Sequence, residues 1–148
     1  MRKWNIALVT LFIFVLTGCS LFDRINDSLA YVNNATEYMN TANQFAEELP
    51  VMAEEAVTSS EARQKLLSEL EAMKAEIVLF NELVVPQYAQ DIHNQIMTYN
   101  NQLHTGITDY IADIKNGIYD LSLLQETGII ATINQVVELR ELLNQLNS

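Results

Sequence analysis

Apolar residues in this chain return every three or four positions over long stretches, and glycine or proline seldom interrupts them. From about Phe22 to Leu49, Ile25, Val32, Met39 and Ala46 stand seven apart, and Ser28, Ala35, Ala42 and Leu49 follow three residues behind them. Such 3-and-4 spacing lays a single seam along a helix. The small residues of the second set let a neighbouring helix approach closely. Tyr31, Tyr38 and Phe45 make a third row flanking the seam, while Asn26, Asn33 and Asn40 recur on the side away from it.

Pro50 falls where this first helix is expected to end or kink, because proline lacks the amide hydrogen and clashes with the preceding turn. Val51 to Val57 reads as a further turn or two. Thr58-Ser59-Ser60-Glu61 has the form of a capping box, in which Thr58 and Glu61 satisfy each other's backbone amides. Ala62, Leu66, Leu70, Met73, Ile77, Phe80 and Val84 then mark a second amphipathic helix. Pro86 suits the first turn of a third. That helix carries Ile92, Ile96, Tyr99, Leu103, Ile107, Tyr110 and Ile114 and stops at Asn116-Gly117. Ile118 to Leu124 is either a short helix or a loop. After Thr127-Gly128 a last helix shows Ile129, Ile133, Val136, Leu139 or Arg140, Leu143 and Leu146. No stretch alternates long enough to make a strand. The prediction is an all-α fold: an elongated antiparallel bundle of three long helices and a shorter C-terminal one, about 40–45 Å long. Gly106 inside the third helix costs about 1 kcal/mol relative to alanine, which either a close helix crossing or a local bend would explain.

The N-terminus follows a different pattern. Arg2 and Lys3 precede an apolar run from Trp4 to Leu16, and Leu16-Thr17-Gly18-Cys19 closes it. The run is shorter than the roughly 20 residues of a transmembrane helix and has the layout of an export signal. Its end resembles a bacterial lipobox, which makes residues 1–18 a cleaved lipoprotein signal peptide and residues 19–148 a lipid-anchored domain. The Cys19 thiol is the nucleophile that takes the lipid, and Thr17 and Gly18 are small enough to admit a peptidase. Two acyl chains on one cysteine anchor stably where a single chain binds only marginally.

The full chain of 148 residues carries 8 basic and 19 acidic side chains, a formal charge of −11, and one cysteine. Loss of Arg2 and Lys3 with the signal takes the formal charge from −11 to −13. An acidic surface excludes nucleic acid as the expected partner. A lone, lipidated thiol excludes disulfide, thiol-nucleophile and Cys-ligated metal chemistry in the mature chain.

Other candidate chemistry is thin. His93 and His104 share one predicted helix face but are separated by a rise of roughly 16 Å, too far for one zinc ion, and solvent-facing positions are expected for both. Asp109 and Asp113 are helix-surface neighbours without the accompanying ligands of a calcium loop or a glutamate–histidine motif. Glu47, Glu48, Glu54 and Glu55 bracket Pro50 and form an acidic knuckle if the helix breaks there, able to take Ca²⁺ weakly. No Gly-x-Ser-x-Gly or phosphate-cradling glycine loop occurs. These observations predict no catalytic residue, no resident metal and no cofactor. Tyrosine is the more unusual feature. Tyr31, Tyr38 and Phe45 are either the margin of the core, which is the preferred reading, or a partner-binding stripe of large amphipathic side chains.

Leu16-Thr17-Gly18-Cys19-Ser20-Leu21-Phe22, Tyr31-Val32-Asn33-Asn34-Ala35-Thr36-Glu37-Tyr38-Met39-Asn40 and Asp91-Ile92-His93-Asn94-Gln95-Ile96 together resemble a family of small uncharacterised lipoproteins of Bacillus-like, spore-forming Firmicutes. The resemblance implies a lipoprotein on the outer face of the plasma membrane. It carries over one functional residue, Cys19, and no activity. The expected function is non-enzymatic docking on another envelope protein. A groove between helices that takes a small ligand or peptide is the alternative, and a cavity lined by Met39, Met73 and Met97 would favour it.

Overall fold

The computed structural model describes residues 19–145, with side chains from Leu29 onward. Helix α1 (Cys19–Thr58) is followed by α2 (Ser60–Asn81), a 3-10 turn at Gln87–Ala89, and α3 (Gln90–Lys115). Three shorter pieces complete the chain: α4 (Leu123–Glu126), α5 (Ile129–Glu138) and α6 (Arg140–Gln145). There is no strand among the described residues. The signal segment and Leu146 lie outside them.

Helix α1 packs against α2 on one side and against α5 and α6 on the other, while α3 packs between α2 and α5. The arrangement is a four-membered up-and-down bundle in which α5 and α6 together form the fourth member. Helices α1 and α3 are therefore diagonal, and they run parallel. Tyr31 meets His93 and Tyr38 meets Asn100, both pairs 62 residues apart in sequence. An identical offset at two levels is the signature of parallel helices in register.

The helix does not end at Pro50. α1 runs through it for 40 residues. Proline in a helix interior costs about 3 kcal/mol. Yet the buried stripe continues across it without a gap: Ala46, Leu49, Met52, Ala53 and Ala56 are all buried. Burying one Leu or Met side chain contributes about 1.5–3 kcal/mol, so packing two further turns outweighs one missing hydrogen bond. The helix then stops at Ser59, one residue later than the predicted cap. Ser59 is extended, and its hydroxyl accepts from the Ala62 amide at 3.2 Å. Thr58 instead leans back on the Glu55 carbonyl. Arg63 closes the corner by donating to the Ala56 carbonyl at 2.9 Å, with its guanidinium 4.6 Å from the centre of the Tyr119 ring.

The third helix starts later than expected: Pro86 is extended and caps the 3-10 turn, and α3 begins at Gln90. In α2 the residues Leu66, Leu70, Met73, Ile77 and Phe80 are buried, but Val84 lies beyond the helix and is 89% exposed. Helix α3 ends in a Schellman arrangement: the Ile118 amide donates to Asp113 and the Gly117 amide to Ile114, with Gly117 at φ +83°. The last helix is divided at Leu139, although Ile129, Ile133, Val136 and Leu143 still bury one stripe. Close helix approach accounts for Gly106. A Cβ there would stand 2.6 Å from the Thr127 carbonyl oxygen and 3.3 Å from Ile129 Cγ1.

Candidate functional site

The polar chemistry of the interior gathers in the half of the bundle nearest Cys19. His93 is 4% exposed, contrary to its expected place in solvent. The reason is a seven-residue line on α3 formed by His93, Asn100, Ile107 and Ile114, all of them buried. It runs beside the isoleucine stripe and widens the core face of the helix, with polar residues at its first two levels. The matching line on α1 is Tyr31, Tyr38, Phe45 and Met52, also buried. The offset of 62 that pairs the first two levels also sets Phe45 level with Ile107 and Met52 level with Ile114.

This placement decides between the two readings of the aromatic row. Tyr31, Tyr38 and Phe45 are 1%, 4% and 8% exposed. They point across the bundle toward α3 and do not present a stripe to a partner. Tyrosine suits the position because its ring fills core volume while its hydroxyl reaches a polar group on the diagonal helix.

Two linked ties result. The Tyr38 hydroxyl donates to Asn100 Oδ1, and Asn100 Nδ2 donates to Asn81 Oδ1 at 2.8 Å, so one chain of bonds crosses α1, α3 and α2. One level nearer Cys19, the Tyr31 hydroxyl lies 3.3 Å from His93 Nδ1; with the neutral Nε2–H tautomer, the hydroxyl donates. Phe80 from α2 joins the levels, with its ring 4.5 Å from Tyr38 and 5.0 Å from His93, stacked on both. Burial pushes the Tyr31 hydroxyl up to about 12, with a smaller contribution from Tyr88. The Tyr38 hydroxyl is raised mainly by burial, opposed by its bond to Asn100, with the Glu76 carboxylate adding to the rise. Burial lowers the pKa of His93 below 6.5 and favours its neutral form.

Above Tyr38 and Phe80 the surface opens into a groove between α1 and α2. One part, about 290 Å³, has Asn34, Glu37 and Thr41 on one wall and Glu76, Leu79 and Leu83 on the other. A contiguous part of about 350 Å³ shares Asn34 and Leu83 and extends to Ala30, Glu82 and Val84. The aspartate pair and His104 are not gathered into a site. Asp109 is exposed and Asp113 half-buried, and His104 lies on the half-buried margin of α3. With α1 continuous, Glu47, Glu48 and Glu55 line one open surface pocket with Lys65, and Asn43 donates to Glu47 and Gln44 to Glu48. Among the described residues no three His, Cys, Asp or Glu side chains converge as metal ligands. Met39 and Met73 are core residues at 0% and 2% exposure, and Met97 is half-buried. No helix among the described residues is long and apolar enough to cross a membrane.

These features define a class: a small helical bundle whose diagonal helices are tied by buried aromatic and amide groups. Within that class the chain belongs to a family of unknown function, DUF6376, which it matches over residues 31–146. The match begins at Tyr31, the first member of the buried line. The chain is also 32% identical over 121 residues to the uncharacterised lipoprotein YybP of Bacillus subtilis (strain 168), a stretch that covers 82% of each protein. The resemblance to small uncharacterised lipoproteins of Bacillus-like Firmicutes therefore holds. No solved structure gives a significant match.

Proposed function

We propose that this chain is a lipoprotein held on the extracytoplasmic face of the plasma membrane by acylated Cys19, and that its bundle docks on another envelope protein without catalysing a reaction. The observation that carries this reading is the place of the lipobox cysteine. Cys19 follows Leu16-Thr17-Gly18 in the sequence and lies on α1. From it to Tyr31, where the buried line starts, a helix rises about 18 Å. An anchor at Cys19 would thus pass by continuous helix into the core of the domain. The lipoprotein name of the B. subtilis relative supports the same reading.

Docking is favoured over an internal ligand because Met39 and Met73 fill the core. The interior hydroxyls, imidazole and amides are engaged with one another, which supports a structural use for them. Incorporation of radiolabelled lipid into wild type and Cys19→Ser tests the anchor. Label in the wild type alone is expected, and equal label in both overturns Cys19 as the site. Cross-linking and pull-down of the intact lipoprotein from membranes, with the soluble domain as control, tests docking.

A further inference from the structure

We infer that the groove between α1 and α2 at the Cys19 end is the docking site, and that it takes a basic amphipathic helical segment of the partner protein. The inference rests on the docking reading and adds the chemistry of the partner. Three observations converge on it.

The first is exposed apolar surface. Leu79 is 60% and Val84 89% exposed, and both line the groove. Leu79 stands in one part of the groove and Val84 in the other, with half-buried Leu83 common to both, so each part offers an apolar side chain to a docked segment. The second is shape. From Ala30 to Thr41 the groove follows α1 for about 16 Å, or three helical turns. That is an elongated trough, matched to a segment of helix better than to a compact small molecule. An amphipathic helix docks in such a trough through residues at i, i+3, i+4 and i+7.

The third is charge. Glu37, Glu76 and Glu82 rim the groove, and none of them has an ion-pair partner among the described residues, where the ion pairs are Glu71 with Lys74 and with Lys115. Residues 29–39 and 75–99 contain neither lysine nor arginine. Arg24 stands further up α1 in a stretch that also holds Asp23 and Asp27. Arg63, Lys65 and Lys115 lie toward the opposite end of the bundle, Lys74 pairs with Glu71, and Arg140 is engaged with Asn40 on the α6 side of α1. A segment with leucine-like residues facing the trough and lysine or arginine along its edges complements both Leu79, Leu83 and Val84 and the acidic rim. Charge complementarity of this kind sets the partner and raises the association rate.

The test uses the full lipidated chain in phosphatidylcholine nanodiscs, with empty nanodiscs as the blank for peptide that partitions into the lipid through its leucine face. The probe is a synthetic helical peptide of about four turns, with leucine at i, i+3, i+4 and i+7 and lysine elsewhere. A second peptide has the same leucines and glutamate in place of lysine. The lysine peptide is expected to bind at least about tenfold more tightly than the glutamate peptide, and more weakly as salt rises. Leu79→Ser should weaken it by about tenfold or more, and Glu37→Gln with Glu76→Gln by a smaller factor. Glu54→Gln with Glu55→Gln, at the other end of α1, should leave it unchanged. Circular dichroism of each variant confirms that it is folded. Equal loss from both charge pairs would mean diffuse attraction to an acidic protein and overturns the groove assignment. Absence of binding, or binding indifferent to Leu79→Ser, overturns it as well. Cross-linking of the same variants in membranes separates the two readings. A partner captured equally by wild type and Leu79→Ser leaves docking standing and the groove refuted. No partner captured at all refutes docking.

Discussion

The two halves of this bundle are built from different materials. Toward Cys19 the interior holds two tyrosine hydroxyls, an imidazole, two amides and the stacked ring of Phe80. Toward Ser59 the α1 seam is Ala46, Leu49, Ala53 and Ala56, opposed by residues such as Leu66, Leu70 and Ile129. Aliphatic layers stabilise strongly but discriminate little between registers, because one methyl packs about as well as the next. The polar layers discriminate. Sliding α1 by a turn against α3 would leave buried hydroxyls and amides unpaired, at about 1–3 kcal/mol for each group. One half therefore supplies tight helix approach, and the other fixes which levels meet.

The contrast can be broken most severely at Phe80. Phe80→Ala should destabilise the domain by about 3–5 kcal/mol and release the packing of both Tyr38 and His93. Urea melts read the loss, and near-ultraviolet circular dichroism reads the loosened tyrosines. A melt within 1 kcal/mol of wild type would mean that the stack contributes little. An effect of about 1 kcal/mol is expected at Gly106, six residues beyond Asn100 on α3. Gly106→Ala introduces a Cβ against the Thr127 backbone, where overpacking costs roughly 1–3 kcal/mol and better helix propensity offsets about 1 kcal/mol. Net stabilisation would show that the α3–α5 approach is slack.

The smallest effect is the pH dependence of the polar half. His93 is buried and its folded pKa lies below 6.5, so the folded state binds its proton less readily than the unfolded state. Its contribution is complete above 6.5 and is lost as pH falls from there toward the folded value, at no more than about 1.4 kcal/mol per pH unit. Denaturant midpoints of wild type and His93→Phe, compared at pH 8 and pH 5, isolate this term from the carboxylates common to both. Parallel pH profiles would mean that His93 does not couple folding to acid.

Much of the candidate site was legible in part. The row of Tyr31, Tyr38 and Phe45 stands out by its spacing, yet spacing alone leaves open whether it faces solvent or core. The answering line of His93, Asn100, Ile107 and Ile114 has the same period and escapes notice because two of its members are polar. The groove was not legible. It depends on Asn34 and Glu37 lying opposite Glu76 and Leu79, pairs some 40 residues apart in sequence.

What the sequence determined by itself is the set of helices and the stop of α3. Those features rest on neighbours within four or five residues: the 3-and-4 apolar spacing, and the Asn116-Gly117 stop. Tertiary structure decided the rest. Packing of Met52, Ala53 and Ala56 carried α1 through Pro50, where a local rule predicts a break. The approach of α5 explained Gly106. The diagonal partner turned a histidine and an asparagine inward, because a buried polar group is tolerated only when another group, here 62 residues away in sequence, is already in place to bond it.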